Sequence, residues 1–127
     1  MLIRRKALEK VGFLDPDYFM YYEDVEFCLR AKDKSFKILY YPNAVIWHKV
    51  KNSSPKSFVD YYRMRNYLLL MKKYYKFTLL KTSVFGLLTL FERILRIILR
   101  KIIYQDSERI SDRLFSILRG FKRGIYY

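Results

Sequence analysis

A chain of 127 residues with 52% hydrophobic and 19% aromatic side chains is too apolar to be disordered throughout and long enough to bury one core. Its net charge of +14 is uneven: residues 1–50 carry 9 Lys and Arg against 7 Asp and Glu, net +2, and residues 51–127 carry 17 against 5, net +12. That field draws polyanions, so nucleic acid, anionic lipid and phosphorylated substrates stay open, while the lone Cys28 excludes an internal disulfide and a cysteine-based zinc cluster and fits a reducing setting.

The first residues, Met1 to Lys6, lack the apolar core of a secretory signal. Ala7, Leu8 and Val11 stand at helical spacing and predict a short helix that Gly12 ends. Asp15-Pro16-Asp17 has the D-x-D spacing of a metal-binding carboxylate pair, but Pro16 and the helix behind it favour a turn. A second, acidic helix is predicted from Tyr21 to Ala31, with Tyr21, Val25, Cys28 and Leu29 as its apolar stripe and Glu26 and Arg30 paired on its outer side. Asp24 falls at the edge of that stripe, where it can face a cleft, and Glu23 points about 100° away from it. The same acids also suit a helix start through its dipole, so these residues taken alone leave both readings open.

The period changes after residue 35. Phe36 to Tyr41 and Ala44 to His48 read as two short strands separated by Pro42-Asn43, and His48, the only histidine, ends the second before a loop that runs to Pro55. Helical spacing returns from Lys56 to Lys76 around the basic patch Arg63-Met64-Arg65-Asn66-Tyr67, which suits either a phosphate or a solvated helix face.

Phe77 to Tyr104 is the most apolar segment. Its charge-free run from Thr82 to Phe91 falls well short of the roughly 20 residues a bilayer span requires, so no transmembrane helix is predicted. Arg93, Arg96 and Arg100 recur at i, i+3, i+7, opposite Ile94, Leu95, Ile98 and Ile102, as in a helix lying in a membrane interface or packed on its own domain or a partner. A last helix is expected from Ser107, with Ile110, Leu114, Ile117 and Leu118 on one face and Gly120 and Gly124 loosening its end.

Several motifs in this order resemble the C-terminal part of the catalytic domain of family 2 glycosyltransferases, particularly the rhamnosyltransferase-like enzymes of bacterial surface polysaccharide synthesis. They are Leu2-Ile3-Arg4-Arg5, Ala7-Leu8, Val11-Gly12, Leu14-Asp15, Tyr18-Phe19, Tyr22-Glu23-Asp24-Val25-Glu26 and Leu29-Arg30, followed by Lys37-Ile38, Tyr41-Pro42-Asn43-Ala44, His48 and Arg65-Asn66. The resemblance covers residues 1–75, with residues 76–127 as a basic amphipathic helical tail. It implies an α/β fold, the C-terminal fragment of a GT-A domain, in which the acidic-motif helix and short strands around 36–50 precede a mainly helical tail.

The resemblance further implies inverting transfer of a sugar from a nucleotide-sugar to an acceptor hydroxyl. Asp24 would be the general base, which must lie within hydrogen-bond reach of the acceptor hydroxyl. Glu23, Arg65 and Asn66 would contact the acceptor or a phosphate, and His48 would help hold a divalent metal, Mg or Mn, in the complete enzyme. The implied partners are a nucleotide-sugar donor, a lipid-linked glycan acceptor and an anionic membrane surface at the inner face of the cell membrane. With no nucleic-acid-binding motif, no nucleic acid is expected. The nucleotide-binding half of such an enzyme lies outside the sequence, so the 127-residue chain is expected not to transfer sugar alone. The alternative is a non-catalytic membrane-surface or interaction module derived from such an enzyme.

Overall fold

The computed structural model describes residues 1–47, 54–104 and 109–127. Among them every regular element is an α-helix: α1 (Arg5–Val11), α2 (Glu23–Asp33), α3 (Lys56–Tyr75), α4 (Leu79–Tyr104) and α5 (Ile110–Tyr126). The α/β expectation is therefore wrong.

Phe36 to Tyr41 and Ala44 to Trp47 have the composition of strands, yet they run as irregular chain with a turn at Pro42-Asn43. Leu39, Tyr40, Ile46 and Trp47 are 80%, 90%, 79% and 96% exposed. Strand propensity measures the fit of a side chain to a pleated, half-buried surface. Here no neighbouring strand among the described residues offers that surface.

α1 is as the sequence reading expects. Ala7 and Val11 are buried, and Gly12 closes the helix with φ 92° and its N–H on the Leu8 carbonyl. Val11 packs with Phe27 and Ala31 of α2 in a small core. The larger core lies between α3, α4 and α5, where Met64, Leu68, Leu90, Ile97, Ile117 and Ile125 meet. A third cluster, Tyr18, Leu69 and Leu70, joins the two. α3 is therefore the axis of the molecule, burying Met64, Leu68 and Leu69 around more than one face.

Gly120 and Gly124 do not loosen the end of α5. They lie inside the helix, where α5 meets α3 so closely that a Cβ on Gly120 would stand 2.5 Å from the Tyr61 carbonyl oxygen and one on Gly124 2.9 Å from Leu68 Cβ. The buried face of α5 runs Arg113, Ile117, Gly120, Gly124, and Leu118 is 48% exposed. Arg113 is buried too, its Nε donating to Asp60 Oδ2 of α3 at 2.7 Å. The expected cap Ser107 lies outside the described residues.

α4 leaves one face bare. Leu80, Val84, Leu88, Phe91, Leu95 and Ile102 are all exposed, while Leu90 and Ile97 enter the core. No helix among the described residues is long and apolar enough to cross a membrane.

Candidate active site

The acidic motif opens α2, and the chain reaches it through a turn that is costly by itself. Tyr21 and Tyr22 both have left-handed backbone, φ 65° and 68°. Bulky residues rarely adopt this conformation, at about 1 kcal/mol or more each, unless their surroundings hold them there.

The holding groups are Arg65 and Asn66. Asn66, with no exposed surface, donates from Nδ2 to the carbonyls of Met20 at 2.7 Å and Tyr21 at 2.9 Å. Arg65 Nη1 donates to the Asp17 carbonyl and to Asn66 Oδ1, both at 2.7 Å, and its guanidinium lies 4.7 Å from the centre of the Tyr127 ring. The two residues that the resemblance assigns to phosphate are thus brought against the motif, where Arg65 Nη1 and Asn66 Nδ2 brace the backbone ahead of it. Arg63 completes the clamp, stacked 4.6 Å over the Tyr21 ring.

Glu26 anchors the far side of the first turn of α2. The sequence reading places the Glu26–Arg30 pair outside; the pair exists, with Arg30 Nε 2.8 Å from Glu26 Oε1, but Glu26 is fully buried. Its Oε1 also accepts from Lys73 Nζ and Tyr74 Oη, each at 2.8 Å. A buried carboxylate needs this many donors to stay charged. The expected stripe turns accordingly: Glu26, Phe27 and Ala31 face inward, and Val25 is 41% exposed.

Lys73 reaches Asp15 Oδ2 at 2.8 Å as well, while Asp15 Oδ1 accepts the Asp17 N–H at 3.0 Å. Asp15-Pro16-Asp17 is thus the turn expected of it. Burial pushes the Asp15 carboxyl up, but the bonds from Lys73 and the Asp17 N–H, with the charge of Lys73, outweigh it and leave Asp15 below its ordinary value. Burial pushes the Tyr18 and Tyr74 hydroxyls up, and the charge of Glu26 adds to both shifts.

With Glu26 fixed inward, Asp24 is exposed at the helix start. Its Oδ1 accepts the Val25 N–H at 2.8 Å, which leaves Oδ2 toward solvent. Glu23 is half-buried, and its Oε2 is shielded from solvent with no hydrogen-bond donor among the described residues. Beside this turn opens a cleft of about 440 Å³, lined by Tyr21, Tyr22 and Val25 on one side and by arginines of α3, α4 and α5 on the other.

His48 lies outside the described residues. Among those described, no three His, Cys, Asp or Glu side chains are grouped to hold a metal ion. The carboxylates nearest the motif are already taken, Asp15 by Lys73 and Glu26 by Arg30, Lys73 and Tyr74. Among the described residues, the carboxylates beside the motif therefore offer no set that would hold a metal.

The chain belongs to glycosyl transferase family group 2, whose model matches residues 1–115. It is also similar to a low-salt glycan biosynthesis hexosyltransferase of Haloferax volcanii, 42% identical over 38 residues, which is 30% of this chain and 12% of that protein. The chain thus spans only a small part of that relative. No solved structure matches it. The family is one of sugar transfer, and the motif residues Glu23 and Asp24 fall within the matched span.

Proposed function

We propose that the chain is the acceptor side of an inverting glycosyltransferase of surface polysaccharide synthesis, with Asp24 as general base. The observation that carries this reading is the build of the α2 start: within a chain of this family, two left-handed residues and a buried Arg-Asn clamp hold one carboxylate exposed while its neighbour Glu26 is buried. Backbone kept in a costly conformation beside a reactive carboxylate is how a positioned site is built. Asp24 would take the proton of the acceptor hydroxyl as its oxygen attacks the anomeric carbon and the nucleoside diphosphate leaves. Glu23, half-buried beside Asp24, would contact the acceptor as well.

In this reading the nucleotide-sugar is bound by a nucleotide-binding half beyond these residues. The bare strand-forming residues from Ile38 to Trp47 suit addition to the edge of a sheet in that half. The protein would sit on the anionic inner face of the cell membrane, with the bare face of α4 in the lipid and the +12 of residues 51–127 facing the head groups. The sugar transferred in this reading is of the hexosyl or rhamnosyl class.

The test is transfer by the chain joined to a nucleotide-binding half. Asp24→Asn should lower turnover by about 10²- to 10⁴-fold, the range for losing a general base, with little change in donor KM. The unjoined chain should show none. Turnover that survives Asp24→Asn removes Asp24 as the base, and transfer by the chain alone removes the need for a second half. A chain that binds vesicles yet supports no transfer with any such half would favour a membrane module.

A further inference from the structure

The chain that leads into α2 is held not only from α3 but also by Tyr127, the residue that follows α5. Asp17 is tied there at three points. Its N–H donates to Asp15 Oδ1 at 3.0 Å, its carbonyl accepts from Arg65 Nη1 at 2.7 Å, and its Oδ1 accepts from the Tyr127 hydroxyl at 2.6 Å. The last of these bonds joins residues 110 apart in sequence.

Tyr127 reaches Arg65 as well. Its ring centre lies 4.7 Å from the Arg65 guanidinium and 5.4 Å from that of Arg123. A ring face draws a cation and shields it from water, which strengthens the hydrogen bonds that the cation makes. Arg65 is only 8% exposed. One bond so shielded runs from Arg65 Nη1 to Asn66 Oδ1, and it turns the amide so that Nδ2 meets the Met20 and Tyr21 carbonyls.

The last turn of α5 is itself fixed on α3. Lys72 Nζ donates to the Ile125 carbonyl at 2.9 Å, and a Cβ on Gly124 would stand 3.0 Å from the Arg65 carbonyl oxygen. α5 thus meets α3 at the residue that braces the turn.

We propose that Tyr127 is a positioning residue of this site. Through Asp17 and Arg65 it keeps Asn66 aimed at the Met20 and Tyr21 carbonyls, and so keeps the start of α2, with Asp24, in place. Tyr127 lies beyond residues 1–115 that the family match covers, so this brace is supplied from outside the matched span. Its effect on transfer rests on the reading of Asp24 as base; its hold on Asn66 rests on the contacts alone.

Two substitutions separate ring from hydroxyl. Tyr127→Phe keeps the ring on Arg65 and loses the bond to Asp17, whereas Tyr127→Ala loses both. Tyr127 is 49% exposed, so both should lower the urea midpoint of the 127-residue chain less than Asn66→Ala does. In the same chain, hydrogen exchange of the Asn66 side-chain amide, followed by NMR, reads the brace directly. Exchange should quicken about tenfold or more in Tyr127→Ala and less in Tyr127→Phe, while the backbone amide of Leu90 in the larger core keeps the parent's rate. In the enzyme joined to a nucleotide-binding half, Tyr127→Ala should lower kcat about tenfold with donor KM unchanged, and Tyr127→Phe should recover part of the loss.

Unchanged exchange at Asn66 in Tyr127→Ala would overturn the proposal. Quickening shared equally by Leu90 would overturn it too, because it marks a general loss of stability. Quickened exchange at Asn66 beside a kcat at the parent's level would remove the positioning role. Exchange is read without transfer, so turnover that survives Asp24→Asn removes the base and leaves the brace standing.

Discussion

Asn66 holds Tyr21 in its left-handed conformation from the middle of another helix, its side-chain amide donating to the Tyr21 carbonyl at 2.9 Å and to the Met20 carbonyl at 2.7 Å. Forty-five residues separate the pair in sequence. Replacing Asn66 with Ala leaves both carbonyls without that donor and releases the turn. The loss should be about 1–3 kcal/mol for each buried group left unsatisfied, seen as a lower midpoint in urea unfolding. Transfer by the joined enzyme should fall as well, because the start of α2 is no longer fixed. A variant as stable as the parent would show that the turn holds itself.

Glu26 gives the clearest contrast between two substitutions. Glu26→Ala takes the shared acceptor from Arg30, Lys73 and Tyr74, though Arg30 keeps the Val11 and Phe13 carbonyls and Lys73 keeps Asp15, and it should cost about 1–3 kcal/mol. Glu26→Gln keeps the shape and an oxygen for Tyr74 and should cost distinctly less. Urea midpoints of the two variants rank them, and an equal cost would mean that shape contributes nothing beyond charge.

Gly120→Ala sets two effects against each other. Ala is the better helix former by about 1 kcal/mol. Its Cβ, however, would lie 2.5 Å from the Tyr61 carbonyl oxygen, a backbone atom that moves only if the helices part. Overpacking of this kind costs about 1–3 kcal/mol. Net destabilisation is expected, read as a fall in thermal midpoint; a rise would mean that α5 shifts freely along α3.

Alkaline lability follows from the groups around Glu26. The ordinary values are 10.0 for Tyr18 and Tyr74 and 10.5 for Lys73, and all three are raised in the fold. Burial raises the two tyrosines; for Lys73 burial lowers the value, and the bonds to Asp15 and Glu26 outweigh it. A raised value contributes stability that is complete below the ordinary value and is lost as pH climbs through the folded one. The thermal midpoint should therefore decline from about pH 10 upward, and Tyr74→Phe should flatten that decline while lowering the midpoint at neutral pH. Asp15, held below its ordinary 3.8, works at the other end, its contribution being lost as pH falls through its folded value.

Membrane contact can be read by sedimentation with vesicles. The chain should bind phosphatidylglycerol vesicles and release them as salt rises, since exposed charges are screened over roughly 10 Å at 0.1 M. Leu88→Glu with Phe91→Glu should abolish binding without changing the fold, because both residues are exposed. Retained binding in that variant would assign attraction to charge alone.

The amino-acid sequence by itself determined the local events: the short helix closed by Gly12, the turn at Asp15-Pro16-Asp17, the helix from Lys56, and the family motif around Asp24. Each rests on spacing or turn chemistry within a few residues, and local forces act over that range. Tertiary structure decided the rest. Glu26 and Val25 exchanged their expected faces because Lys73 and Tyr74, far along the chain, converge on the carboxylate. The strand-like residues from Ile38 to Trp47 remained irregular because a strand is completed only by a neighbour. Arg65 and Asn66 came to brace the turn before α2, and Arg93 and Arg100 became cleft residues, because only packing determines which of many arginines point at backbone and which at open space.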